Sequence, residues 1–477
     1  MTAHDPSTNQ HARQRVGLGD AIVLGLSSSG PAQTLAVSLA SLVAASGYGS
    51  PVPVLLCLVP MLGIAFAYQR LNRWDQSAGA TYTWVARVFN PYLGFLSGWM
   101  ILLYYTLGTT TLTIPAGVYT LELLSPSRVN DHAAVFLVAA AWNILITGLA
   151  VAGLKVAVRF EWVIVLLQYA VLLTVAGVAM DVLLQGHAAA HFSWGWFSLT
   201  GLGGGKGLMA GLLIACFMYS GWDAAVYVNE ESKDRVNDPG RAAIASVVML
   251  ALIYSVAVFA FQGVLPPAEL QMHAGDALSA VSGKLLGAPF KAVMALVVLT
   301  ATLATLQAAV ISATRVGVAM SRDRVMPSMF GRVRMDGSTP WAATLTMGCV
   351  NLVLLALSLS TATIGEALTN AASSLGLISI VFYGITAAAA LRQQMVAIRA
   401  GRGDLISGGV FPLVGVLFSV TVLVGSFWSG AVSAVVIAYG LGSIAIGAGV
   451  ALILRWRRVP FFVAAGSPWS PRDRRFP

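Results

Sequence analysis

A chain of 477 residues in which 57% of side chains are hydrophobic and only 10% are charged is not an ordinary soluble domain, where about a quarter of the residues are charged. Its mean hydropathy of +0.79 marks a polytopic membrane protein, with too little polar length left over for a sizeable extramembrane domain. The net charge of +9 fits either nucleic acid or a membrane surface as partner, and the placement of the basic residues decides between them.

In chain order, Met1 to Arg15 is polar and is not followed by a short apolar core with a small-residue cleavage site. Residues 1–19 are therefore predicted to be a cytoplasmic tail, and the first apolar span a retained helix. Apolar stretches of roughly 20 residues predict twelve spans, beginning near Asp20, Pro51, Pro91, Ala133, Arg159, Gly207, Ala242, Pro289, Pro340, Ile364, Gly409 and Ala431. With both termini in the cytoplasm, only Arg128, Lys206, Lys284 and Lys291 of the 28 basic residues fall on the outer side. That asymmetry is a topology signal; it places the chain in the cytoplasmic membrane with the lipid bilayer as partner and argues against nucleic acid.

Spans 1 and 6 are interrupted near their centres. The first carries Ser27-Ser28-Ser29-Gly30-Pro31-Ala32-Gln33 and the second Tyr219-Ser220-Gly221-Trp222-Asp223. Unpaired backbone is tolerated at membrane depth only against protein or a watery cavity, and paired interruptions in two halves point to the central site of a secondary transporter. Five spans precede the second break, so a second copy of the first five enters the membrane from the opposite side. The predicted units are a first repeat over 20–185, an extracellular loop over 186–206, an inverted repeat over 207–392, helices 11 and 12 over 409–455 and a cytoplasmic tail over 456–477. In the loop, His191 to Phe197 reads as an interfacial aromatic belt. Gly201 to Gly207 lacks the first glycine and the hydroxyl of a phosphate loop and reads as a flexible lead into span 6.

Pro31 has no N–H and opens the helix at the Ser27 carbonyl. N–H groups freed at the start of the outer half-helix, beside Ser28, Ser29 and Gly30, suit a substrate carboxylate, because partial positive charge and donors coincide at a helix start; the alternative is a proline kink steadied by serine hydroxyls. Asp223 is an ionisable group at membrane depth, and three roles are open to it: cap of the second half-helix, proton-coupling switch, or partner of a cationic substrate group. Phe217 and Tyr219 stand before the break as an aromatic gate or as helix packing. Further polar side chains lie on span 3 (Tyr104, Tyr105, Thr106, Thr109, Thr110, Thr113), span 5 (Gln168), span 8 (Thr302, Thr305, Gln307) and span 10 (Asn370, Ser373, Ser374). Fewer than half are expected to touch substrate, since most such hydroxyls bond their own helix or a neighbour. Cys57, Cys216 and Cys349 fall in three spans without disulfide or metal spacing. All six histidines lie in the tail or on the outer side, so no metal, haem, other cofactor or enzyme site is expected.

Several motifs in order resemble the amino acid permeases of the amino acid-polyamine-organocation superfamily, over about Gly17 to Arg455. They are Ser77 to Trp84, Pro91 to Trp99, Gly221-Trp222-Asp223 with Glu230-Glu231, and Arg315 to Pro327. The resemblance implies an all-α membrane fold of twelve transmembrane helices, leucine-transporter-like, with two inverted five-helix repeats and discontinuous helices 1 and 6. It further implies alternating access around a site in which Ser28 to Gln33 hold a carboxylate, carbonyls near Phe217 to Ser220 beside Gly221 hold an amino group, and Phe217 is the gate. Two departures stand out. Relatives commonly carry Gly-Ser-Gly where Pro31-Ala32-Gln33 align, and some proton-coupled ones carry lysine in place of Gln168. Coupling then falls to Asp223 or Glu161, or the protein is an exchanger. The expected function is a proton-coupled or exchanging carrier of an amino acid or close derivative. A polyamine antiporter and a non-transporting sensor on the same scaffold are the alternatives, and the oligomeric state is left open.

Overall fold

The computed structural model describes residues 16–152, 158–332, 341–359, 363–399, 401 and 404–463. The polar stretch from Met1 to Arg15 and most of the predicted C-terminal tail lie outside them. The first broken span is α1 (Leu18–Ser29) and α2 (Pro31–Ser46), followed by α3 (Pro51–Trp74), the short α4 (Thr81–Val88), α5 (Pro91–Leu124), α6 (His132–Val151) and α7 (Val158–Leu184). The second is α8 (Gly204–Met218) and α9 (Ala224–Tyr227), followed by α10 (Asp238–Phe261), the loop helices α11 (Pro267–Met272) and α12 (Ala277–Leu286), and α13 (Ala288–Arg322). The chain ends with α14 (Trp341–Ser358), α15 (Ile364–Arg399), α16 (Phe411–Trp428), α17 (Ala434–Trp456) and α18 (Pro460–Val463).

Among the described residues, ten helical stretches are long and apolar enough to cross a membrane. The shorter apolar helices α8 and α14 fill the sixth and ninth places of the predicted twelve. Helix starts follow local chemistry. Asn90 accepts the Leu93 N–H ahead of Pro91, and Asp131 accepts the Ala133 and Ala134 N–H groups, each satisfying donors that a first turn leaves open. The helices α1, α2, α3, α5, α8, α10, α13 and α15 contribute most of the buried core. By contrast α6, α7, α16 and α17 expose Leu137, Ile144, Leu166, Leu417, Val424 and Leu452, a face suited to hydrocarbon. The protein is an integral multi-pass membrane protein.

Cys57 and Cys216, on α3 and α8, are buried beside each other, whereas Cys349 is exposed; all three are free thiols. Sequence spacing gave no sign of that neighbour pair, because the approach of α3 to α8 creates it.

The two faces of the bundle are closed by different chemistry. On one, Val16 pairs with the α9–α10 connection, receiving the Lys233 N–H at 2.9 Å and giving its own to the Glu231 carbonyl at 3.0 Å. Arg315 grips both Glu231 carboxylate oxygens at 2.7 and 2.8 Å, Glu230 accepts the Ala78 N–H at 2.9 Å, and the Tyr82 hydroxyl donates to Asp323 at 2.8 Å. Motifs far apart in sequence thus converge on one seal. Because Glu231 is half exposed, such a pair contributes at most about 1 kcal/mol. Arg315→Ala is therefore expected to raise hydrogen exchange at 229–233 only a few-fold, with helix content unchanged by circular dichroism.

On the opposite face α11 and α12 lie over α2. Lys291 meets Glu122 at 3.0 Å, Ser279 donates to Glu122 at 2.6 Å, and His273 Nδ1 lies 3.1 Å from Asp276. The hydrogen bond to Asp276 raises the His273 pKa above its ordinary 6.5, burial opposes this, and the charges of Asp276 and Glu269 outweigh that of Lys291. The His273–Asp276 contact is therefore at full strength below about pH 6.5 and is lost as pH rises through the raised value. With the intrinsic pH dependence of amide exchange divided out, protection of residues 267–286 is expected to fall over that rise in the wild type and to be flat with pH in His273→Gln.

Candidate functional site

The two breaks face each other at the centre. Gly30 sits between α1 and α2 with φ +51, a left-handed conformation that glycine adopts at little cost. Any side chain there would also run into the Thr305 hydroxyl. Gly221 has φ +99, and a Cβ on it would lie 2.9 Å from the Ser28 carbonyl oxygen, so the two interrupted segments touch backbone to backbone.

Asp223 is 1% exposed. It stands at the N-cap position of α9 but makes no cap hydrogen bond, which removes the capping role considered from the sequence. One carboxylate oxygen instead accepts the Tyr227 hydroxyl at 3.0 Å, and the other the Tyr383 hydroxyl at 2.9 Å. Tyr227 was missed from the sequence, although four residues along a helix is one turn on the same face. Tyr383, on α15, had no sequence signal. Trp222 stacks on Tyr383 with ring centroids 5.3 Å apart and meets Tyr68 edge-on at 5.1 Å. Tyr68 accepts the Thr81 hydroxyl, which in turn accepts that of Thr386. Tyr105 packs edge-on against Tyr227, and Tyr104 against Tyr105. Among the described residues no lysine or arginine is buried, so Asp223 has no cationic side chain beside it inside the bundle. An uncompensated charge at this depth costs several kcal/mol, which a cationic group brought to it recovers.

The start of α2 is built differently. The Ala32 N–H donates to Gln168 Oε1 at 3.3 Å, Gln33 donates through Nε2 to the Leu112 carbonyl at 3.2 Å, and Gln33 Oε1 accepts the Thr302 hydroxyl. Ser29 is engaged within its own helix by donating to Gly25, while its carbonyl accepts the Thr34 hydroxyl. The Ser28 hydroxyl is buried and unpartnered. In the second break Ser220 donates its N–H to the Phe217 carbonyl at 3.0 Å and its hydroxyl to the Cys216 carbonyl at 2.6 Å. Phe217 and Tyr219 are buried there, with Tyr219 edge-on to Tyr254.

Of the polar side chains singled out on neighbouring helices, Tyr104, Tyr105, Gln168, Thr302 and Thr305 reach this centre. Thr106, Thr109 and Thr113 bond their own helix. Thr110 donates to Asn351, and Asn370 accepts from Ser433 towards α17. Glu161 lies at the start of α7 beside Asp20, at the Val16 face, and is separate from the carboxylate between the breaks.

A family model described as amino acid permease matches residues 20–440. The chain belongs to that family. Among curated relatives, the permease is 28% identical over 315 residues to the low-affinity putrescine importer PlaP of Escherichia coli K12, covering 66% of this chain and 68% of that one. It is 28% identical over 330 residues to a methylthioribose transporter of Bacillus subtilis, with coverage of 65% and 68%. It is 23% identical over 378 residues to the human large neutral amino acids transporter small subunit 2, with coverage of 76% and 66%. Among solved structures, that of MhsT in complex with L-phenylalanine superposes with a TM-score of 0.59 at 16% identity, covering 86% of the permease and 98% of MhsT. The permease therefore has the leucine-transporter-like fold, with discontinuous helices 1 and 6, and is a membrane transporter of the amino acid or amine type.

Proposed function

We propose that the protein is a secondary active exchanger that carries a small amino compound across the cytoplasmic membrane by alternating access, with both termini in the cytoplasm. The observation that carries this is the buried Asp223, placed at the contact of two interrupted helices, held by two phenols and lacking any basic partner. A single carboxylate serves one cation at a time. A substrate ammonium and a proton compete for it, and that competition couples their movements in opposite directions. The basic residues concentrated on one side support the orientation, and the seal of Val16, Glu231 and Arg315 then closes the cytoplasmic side.

The purified chain in liposomes tests this with labelled amines and amino acids, with and without a proton gradient, sodium, or internal counter-substrate. Uptake is expected to be driven by internal substrate or by an outward proton gradient, and to be indifferent to sodium. Uptake that requires an inward proton gradient or sodium rejects the exchange mechanism. Absence of counterflow with every compound rejects the carrier and favours a sensor.

A further inference from the structure

We propose that Gln168 sets the cargo class: a primary ammonium joined to a neutral hydrogen-bond acceptor, in preference to one carrying a carboxylate. The proposal rests on the carrier reading above, with Asp223 as the ammonium end.

The first turn of an α-helix normally presents several free N–H groups, and a carboxylate placed there is held by two or more of them. In α2 that set is dismantled. Position 31 is proline and has no donor, the Ala32 N–H is spent on Gln168 Oε1 at 3.3 Å, and the N-cap Gly30 N–H returns to the Leu26 carbonyl at 2.8 Å. The Gln33 N–H is the main-chain donor that remains. Gln168 is 1% exposed, and its Nε2 is a buried donor without a partner. A neutral side-chain amide thus stands where charge-receiving backbone would be, and it offers one hydrogen that a buried polar group is strongly driven to satisfy. An ionised carboxylate must give up its hydration for this reduced set of donors, and a hydrogen bond to a charged group is worth more than one to a neutral acceptor. A hydroxyl or carbonyl oxygen is desolvated at far lower cost and is satisfied by Gln168 Nε2 alone.

The test compares matched series built on alanine, leucine, phenylalanine and ornithine: the amino acid, its primary amide, its amino alcohol and the decarboxylated amine. Binding is read as ligand-induced thermal stabilisation of the purified full-length protein, and transport as counterflow in liposomes. In the best-binding series the amide or amino alcohol is expected to bind at least about tenfold tighter than the amino acid, and tighter than the bare amine. In Gln168→Ala, which frees the Ala32 N–H and removes the amide donor, that preference is expected to collapse towards the amino acid, whereas Gln168→Asn retains part of it. The proposal is overturned if wild-type protein binds the amino acid as tightly as its amide, if the bare amine equals the amino alcohol, if no series binds, or if folded Gln168→Ala keeps the wild-type order. The wild-type order is informative even where the variant fails to fold. Selective binding without counterflow defeats the carrier reading and leaves the selectivity standing.

Discussion

Asp223→Asn is expected to weaken binding of an amine substrate by about 30- to 1000-fold. Losing one member of a buried, hydrogen-bonded charge pair costs on the order of 2–4 kcal/mol. Asparagine keeps the size of the side chain and an acceptor for Tyr227 or Tyr383, so the change isolates the charge from the packing. Two readouts separate the roles still open to this residue. If Asp223 is both substrate partner and proton site, the variant loses affinity and its residual exchange no longer varies with pH. Affinity lost with pH dependence intact would place the proton elsewhere, with Glu161 beside Asp20 the next candidate. Unchanged affinity would exclude the carboxylate as the ammonium partner. Tyr383→Phe, which removes one of the two hydroxyls on Asp223, is expected to produce a smaller loss in the same direction.

Gly221→Ala is expected to reduce transport at least tenfold while the protein remains inserted. Two costs add at this position. The backbone has φ +99, where a Cβ is strained by about 1–2 kcal/mol, and that Cβ would lie 2.9 Å from the Ser28 carbonyl oxygen and 3.0 Å from Ser29 Cα. Backbone atoms cannot rotate away as a side chain can, so the two breaks must separate. Gly177→Ala is the control, since it lies on α7 with nothing within 4 Å of the added carbon, and it should transport as the wild type does. Equal transport by both variants would mean that the contact between the breaks is dispensable.

Much of this was legible in the sequence because it is written in local chemistry. Gly30-Pro31 and Ser220-Gly221 announced the two breaks, and the apolar runs announced the spans they interrupt. What escaped depends on helices meeting. Tyr68 and Tyr383 are ordinary aromatic residues within apolar stretches, and only the packing of α3 and α15 around the second break brings Tyr383 to Asp223 and both rings to Trp222. Asp223 itself was read for three roles; it makes no side-chain cap hydrogen bond to α9 and accepts instead from Tyr227 and Tyr383. Gln168 was noted for being unable to titrate, but its bond to Ala32 joins residues 136 positions apart and no spacing rule reaches that far. The permease motifs were readable as separate words. Their meeting at Glu230, Glu231, Tyr82 and Asp323 appears only in three dimensions.

The pairing of Val16 with the α9–α10 connection has a mechanical consequence. It joins the beginning of the first broken span to the end of the second by main-chain bonds, and the Val16 side chain packs there against Leu24, Ala225 and Val228. Substitutions at the exposed Lys233 that keep the N–H should be absorbed, whereas Lys233→Pro removes one of the two main-chain bonds and weakens the pairing. While the pairing holds, α1 and α9 move as one piece. Any path opened towards that face must then part them together from α13 and from the loop before α4, and the bonds of Arg315 to Glu231 and of the Ala78 N–H to Glu230 lie across the line of separation.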